Sequence, residues 1–207
     1  ESLFSMEGTT APIKEISKLC IEYDSKLLID EAHAFGVMGS AGRGESFELK
    51  EPISIISGTF GKAFGSGGAF LATDKITGKN LIQNCGAFRY TTALAPPLCA
   101  SALAALNLIE SNPNWGSELK EKSKALRDRL SQVGWQRPAG EGPIISIILG
   151  SDRLAMDYQE RLEAQGLLTV AIRPPTVPEG KSRLRLVIRR NTPDQAFERL
   201  IEILKNK

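Results

Sequence analysis

The stretch LLIDEAHAFGVMG, residues 27–39, decides the reading of the fold. Leu27, Leu28 and Ile29 run directly into Asp30-Glu31-Ala32-His33 and then into glycines. A short apolar run ended by polar residues and glycine suits a buried strand that delivers side chains from its carboxyl end. Upstream, residues 12–23 place Ile13, Ile16, Cys20 and Tyr23 on one helical face, with Pro12 suited to the first turn. Downstream come a loop with Gly36, Gly39, Gly42 and Gly44, the apolar run ISIIS at 53–57, GTFGKAFGSGG at 58–68, and the strand-like AFLAT at 69–73. Strand, loop and helix alternate, so an α/β domain with a buried parallel or mixed sheet is expected.

The texture changes from about residue 93. ALAPPLCASALAALNLIES reads as a helix after a Pro-Pro start, and SELKEKSKALRDRLSQVG as a charged amphipathic helix. IISIIL at 144–149, a helix near 153–165, LLTVAI at 167–172 and RLRLVIR at 183–189 follow. Thr192, Pro193 and Gln195 have the spacing of a helix start, with Phe197, Leu200, Ile201 and Leu204 forming one apolar stripe behind them. The expected organisation is residues 1–109 as part of a larger domain and 110–207 as a smaller α+β domain.

The 207 residues suffice for one large or two small cores, and 42% apolar with 24% charged residues is ordinary for a soluble globular protein. A net charge of +2 without a basic stripe gives no case for nucleic acid. Cys20, Cys85 and Cys99 are odd in number and lack metal-ligand spacing, which favours a reduced, cytoplasmic setting without a metal site. No apolar run reaches the length of a membrane span. The chain opens ESLFSMEG without an initiator Met, as if entering partway along a strand, and reads as a fragment.

The spelling D-E-A-H also occurs in nucleic-acid helicases, where the acids hold a magnesium–nucleotide complex. A nucleotide triphosphatase needs G-x-x-x-x-G-K-[ST] as its phosphate cradle. At Gly61-Lys62 the first glycine is replaced by Ile56, and Ala63 supplies no hydroxyl for magnesium. Both diagnostic positions fail.

Lys62 points elsewhere. TFGKAFGSGG is small and flexible, so backbone and amine can both approach a bulky ligand, and a desolvated lysine becomes a nucleophilic amine. A carboxylate at a strand end, such as Asp30, could keep a heterocyclic nitrogen protonated; lysine plus acid is the pair that pyridoxal 5'-phosphate (PLP) requires. Each piece also has a plainer use, the lysine as a solvated turn residue and the aspartate as a cap.

Thr59 to Gly68 resembles, at every position, the cofactor-lysine signature of the class II PLP-dependent transferases, and DEAH…G…G…GRG resembles the aspartate–histidine segment of the α-oxoamine synthases. The resemblance runs over essentially the whole chain. It implies fold-type I, with part of the large mixed-sheet domain followed by the small C-terminal domain, and a shared-site homodimer. It also implies that an N-terminal half with further cofactor contacts is missing here. By resemblance Lys62 is the Schiff-base lysine and then the Cα base, Asp30 pairs with the pyridine nitrogen, and His33, the sole histidine, lies near the phenolic oxygen. Ser5 matches a contact near the ring, Thr59 a phosphate contact, and Thr91 and Thr92 a segment reaching the partner's phosphate. Arg185 matches the arginine that holds the substrate carboxylate, a role suited to a planar guanidinium, and Thr176 a place in the substrate pocket. AIRPPTVPEGKSRLRL at 171–186 is most similar to the family branch that condenses L-alanine with pimeloyl-CoA or a pimeloyl-carrier protein in biotin biosynthesis. Glycine- and serine-using synthases, or a non-catalytic subunit, are the alternatives. Retention of Lys62 with Asp30 argues against the last.

Overall fold

In the computed structural model residues 1–205 are described, and the chain divides into two compact units. The first comprises Glu1–Leu3 with Thr10–Ser117, the second Phe4–Thr9 with Glu118–Lys207. The division falls at Ser117/Glu118, within the first turn of the helix Trp115–Gln132, whereas the expected 109/110 would cut the helix Pro96–Ser111.

In the first unit, helix α1 (Ile13–Glu22) precedes strand β1 (Leu28–Asp30), in which Ile29 is buried. Tyr23, expected on the buried face of α1, is 70% exposed and instead terminates that helix. Strand β2 (Ile55–Thr59) pairs parallel with β1, Asp30 lying opposite Ser57, and strand β3 (Ala69–Thr73) pairs antiparallel with β2. The sheet order is β1-β2-β3 and the sheet is mixed. Strand β2 starts later than ISIIS suggests because Leu28 pairs with Ile55. Gly58 faces Phe70 across the ladder, where an added Cβ would sit 2.4 Å from the ring. No side chain fits there.

Helices α2 (Lys75–Asn84), α3 (Gly86–Arg89) and α4 (Pro96–Ser111) complete this unit. Asp74 caps α2, its carboxylate accepting from the amides of Ile76 and Thr77 and from the Thr77 hydroxyl. Helix α4 begins with Pro-Pro at its first turn, as expected.

The second unit carries α5 (Trp115–Gln132) from Glu118 onward, β4 (Ile144–Gly150), α6 (Asp152–Glu163), β5 (Val170–Ile172), β6 (Ser182–Val187) and α7 (Asp194–Lys205). Its sheet is antiparallel in the order β4-β6-β5. Leu126, Leu130, Ile145, Leu162, Leu184 and Leu204 are fully buried in it. The α7 stripe is buried as its spacing requires, though the Thr192 hydroxyl accepts from the Arg189 amide. Strand β5 is shorter than LLTVAI because the Leu167 amide is bonded back to Leu162 O, closing α6 over Gly166 (φ 74).

A buried cation organises the segment before β4. Arg127 donates from Nε to Ala139 O (3.2 Å) and from Nη2 to Gly142 O (2.9 Å) and Ile144 O (2.7 Å). Burial presses its pKa down to about 10, so it remains charged near neutrality. No described helix is long and apolar enough to cross a membrane.

Candidate active site

The carboxyl ends of β1 and β2 bring three of the expected residues into one neighbourhood of the first unit. Asp30 is the last residue of β1 and half-buried. Its Oδ1 accepts from the Ala32 amide at 2.8 Å and its Oδ2 from the Ser57 hydroxyl at 3.2 Å. Both bonds fix the plane of the carboxyl group. His33 follows three residues later, and Lys62 Nζ lies 3.3 Å from its Nδ1.

Lys62 is exposed rather than desolvated, yet its backbone is tightly held. Phe60 N–H donates to Gly68 O, Ser66 N–H to Phe60 O, and Gly65 N–H to Lys62 O. Phe60 and Phe64, on either side of the lysine, join Phe35 and Phe70 in an aromatic cluster, with Phe35 stacked on Phe64 at 5.1 Å. Such pairs add about 0.5–1.5 kcal/mol each beyond area burial. These rings, with Leu94, Leu98 and Ala102, line an apolar cleft of about 380 Å³. Thr59 ends β2, and its hydroxyl donates to Gly68 O (3.0 Å) and accepts from the Gly61 amide (3.1 Å), closing the neck of the lysine loop.

The remaining expected residues lie elsewhere. Thr91 and Thr92 are exposed on the loop between α3 and α4, and among the described residues no hydrogen bond joins them to Asp30, His33 or Lys62. In the second unit, Arg185 on β6 donates from Nε to Ser5 O at 2.8 Å. Ser5 belongs to the strip Phe4–Thr9, which is fastened to β4 by the Ser146 hydroxyl on Met6 O (2.5 Å) and to β6 by Arg183 on Glu7 (2.8 Å). Arg183, two residues before Arg185 on the same strand, is buried in this ion pair. Thr176 is exposed in the turn after β5.

Two acids that the sequence reading passed over belong here. Glu31 is 1% exposed and accepts from the Ser2 hydroxyl (2.6 Å) and from the amides of Ser46 (2.7 Å) and Glu45 (3.2 Å). It thereby ties the glycine-rich loop to the end of β1. Gly44 (φ 90) lets that loop close in, since a Cβ there would lie 2.8 Å from the Glu31 carboxyl carbon. Glu1 Oε1 lies 3.2 Å from His33 Nδ1.

Over residues 1–204 the sequence matches the family described as Aminotransferase class I and II. It is 38% identical to the 8-amino-7-oxononanoate synthase of Methylobacillus flagellatus, over 99% of this chain and 52% of that protein. The solved serine palmitoyltransferase of Sphingomonas wittichii superposes with a TM-score of 0.91 at 25% identity, covering 99% of this chain and 52% of that one. The 8-amino-7-oxononanoate synthase structure from Francisella tularensis gives 0.85 at 27% identity, over 99% and 60% of the two chains. The chain spans about half the length of the curated relatives it matches. The expected α/β fold, that of the fold-type I PLP-dependent transferases, is the fold these similarities share with it.

Proposed function

The chain belongs to the class I and II aminotransferase family, and on that premise we propose that it works within a cytoplasmic, homodimeric PLP-dependent acyltransferase. The proposed reaction joins L-alanine to a pimeloyl thioester, carried by CoA or a carrier protein, with loss of carbon dioxide and free thiol, giving 8-amino-7-oxononanoate for biotin. The cluster of Asp30, His33 and Lys62 carries this reading, because it sets an acid, an imidazole and an amine at adjoining strand ends.

That donor set fits PLP. Asp30, oriented by Ala32 and Ser57, suits a protonated pyridine nitrogen; His33 suits the phenolic oxygen; Lys62 suits the aldehyde carbon. Thr59, with Thr91 and Thr92, is assigned to phosphate, and Ser5 to the ring edge. When bound, the cofactor supplies an electron sink for charge developing at the amino acid's Cα. Lys62 Nζ takes the Cα proton and later returns one, its backbone fixed by the Phe60–Gly68 closure. Asp30 keeps the proton on the ring nitrogen through this transfer. Arg185, oriented through Nε by Ser5 O, binds the alanine carboxylate, with Thr176 lining the substrate pocket.

Similarity to serine palmitoyltransferase keeps a second amino acid and acyl donor within the same chemistry. The higher identity to 8-amino-7-oxononanoate synthases favours the alanine reaction. Incubation with PLP, borohydride reduction and peptide mass spectrometry test the reading. A pyridoxyl group on Lys62, absent in Lys62→Ala, is expected. No adduct, or one confined to other lysines, overturns it.

A further inference from the structure

Two charged groups meet one nitrogen of His33. Glu1 Oε1 lies 3.2 Å from Nδ1, and Lys62 Nζ lies 3.3 Å from the same atom. Their demands conflict. An ionised carboxylate only accepts, so Glu1 is satisfied when Nδ1 carries a proton. An ammonium only donates, so a charged Lys62 is satisfied when Nδ1 is bare.

Surroundings decide between these states. The His33 and Glu1 side chains are 16% and 33% exposed, so their contact is partly withdrawn from water. With Nδ1 bare, a carboxylate oxygen faces a lone pair at contact distance, which is repulsive. With Nδ1 protonated, Lys62 gives up one donor contact, and water replaces it because that side chain is exposed.

Resting on the function proposed above, we propose that Glu1 is a positioning residue that holds a proton on His33 Nδ1 and so fixes the tautomer of the imidazole beside Lys62. Glu1 thus acts on the lysine through the histidine.

His33 is the only histidine in these 207 residues, and its ring nitrogens are followed by ¹⁵N NMR, assigned by their loss in His33→Gln. At neutral pH the parent protein is expected to show a pyrrole-type Nδ1. Glu1→Ala is expected to shift the tautomer ratio toward a pyridine-type Nδ1 by more than tenfold, while Glu1→Gln, which keeps an acceptor oxygen, stays close to the parent. The rate of pyridoxyl trapping at Lys62 is expected to fall several-fold in Glu1→Ala and to recover in Glu1→Gln. A pyridine-type Nδ1 in the parent, or no change in Glu1→Ala, overturns the proposal; so does an unchanged trapping rate. The ring spectrum needs no cofactor. A parent that retains Nδ1–H but takes no pyridoxyl group would therefore refute the proposed reaction and overturn the coupling to Lys62, while the ring state itself would stand.

Discussion

Replacing Glu31 by alanine removes the acceptor at the centre of the glycine-rich loop. Ser2 and Ser46 donate to it at 2.6 and 2.7 Å, and both residues are buried. Hydrogen bonds to a charged acceptor are worth about 1.5–3 kcal/mol each, and the longer bond from Glu45 adds little. With the Ser46 amide and the Ser2 hydroxyl left unsatisfied, Glu31→Ala costs about 3–5 kcal/mol. Glu31→Gln keeps one accepting oxygen and costs about 1–2 kcal/mol. In urea, with a slope of about 2 kcal/mol/M, the alanine variant should unfold ~1.5–2.5 M earlier than the parent. Near-UV signals from the Phe35–Phe64–Phe70 cluster of the same unit report this loss. A midpoint within about 0.5 M of the parent, at an unchanged slope, would show that the loop is held by something other than this carboxylate.

Arg127→Met removes the donors to Gly142 O and Ile144 O but also relieves a buried charge, so a net cost of about 2–4 kcal/mol is expected from denaturation. A neutral or stabilised variant would show that the segment before β4 is held by packing alone. At Asp74, the Thr77 hydroxyl and then the Thr77 amide hold the carboxyl below its ordinary range. The cap is therefore fully effective above the ordinary aspartate value and is lost as pH falls through the lower folded value. Protection of the amides of residues 76–81, taken relative to their intrinsic exchange rates, should fall on acidification in the parent and show no such acid step in Asp74→Asn; the same acid step in both would contradict the cap.

The lysine loop was legible because its glycines and phenylalanines are local signals: a chain that must turn tightly around Lys62 needs the first, and anchoring it needs the second. AFLAT matched its strand residue for residue because Phe70 and Ala72 alternate across a pairing fixed by Gly58. Helix α2 was missed although Asp74 announces it, since Gly78 interrupts its pattern and none of its residues is buried. Glu31 and Glu1 were invisible for another reason. Their partners lie between 14 and 32 residues away, and no local spacing marks an acid whose donors come from another part of the chain. Arg183 carries no local mark either: beside Arg185 in sequence it looks redundant, while its position on β6 buries it against Glu7.

The strip Phe4–Thr9 has a consequence in time. Its bonds to Ser146, Arg183 and Arg185 span 140, 176 and 180 residues. The closure entropy of so long a loop exceeds that of a short one only logarithmically, so the finished contacts are not costly. The wait is long nonetheless, because contacts this distant in sequence form slowly and only once both ends exist. During synthesis this strip leaves the ribosome well before β6, since Arg185 follows Ser5 by 180 residues. The backbone acceptor that orients Arg185 is therefore made well before the guanidinium it orients, and the two come into register only after the whole of the intervening chain exists.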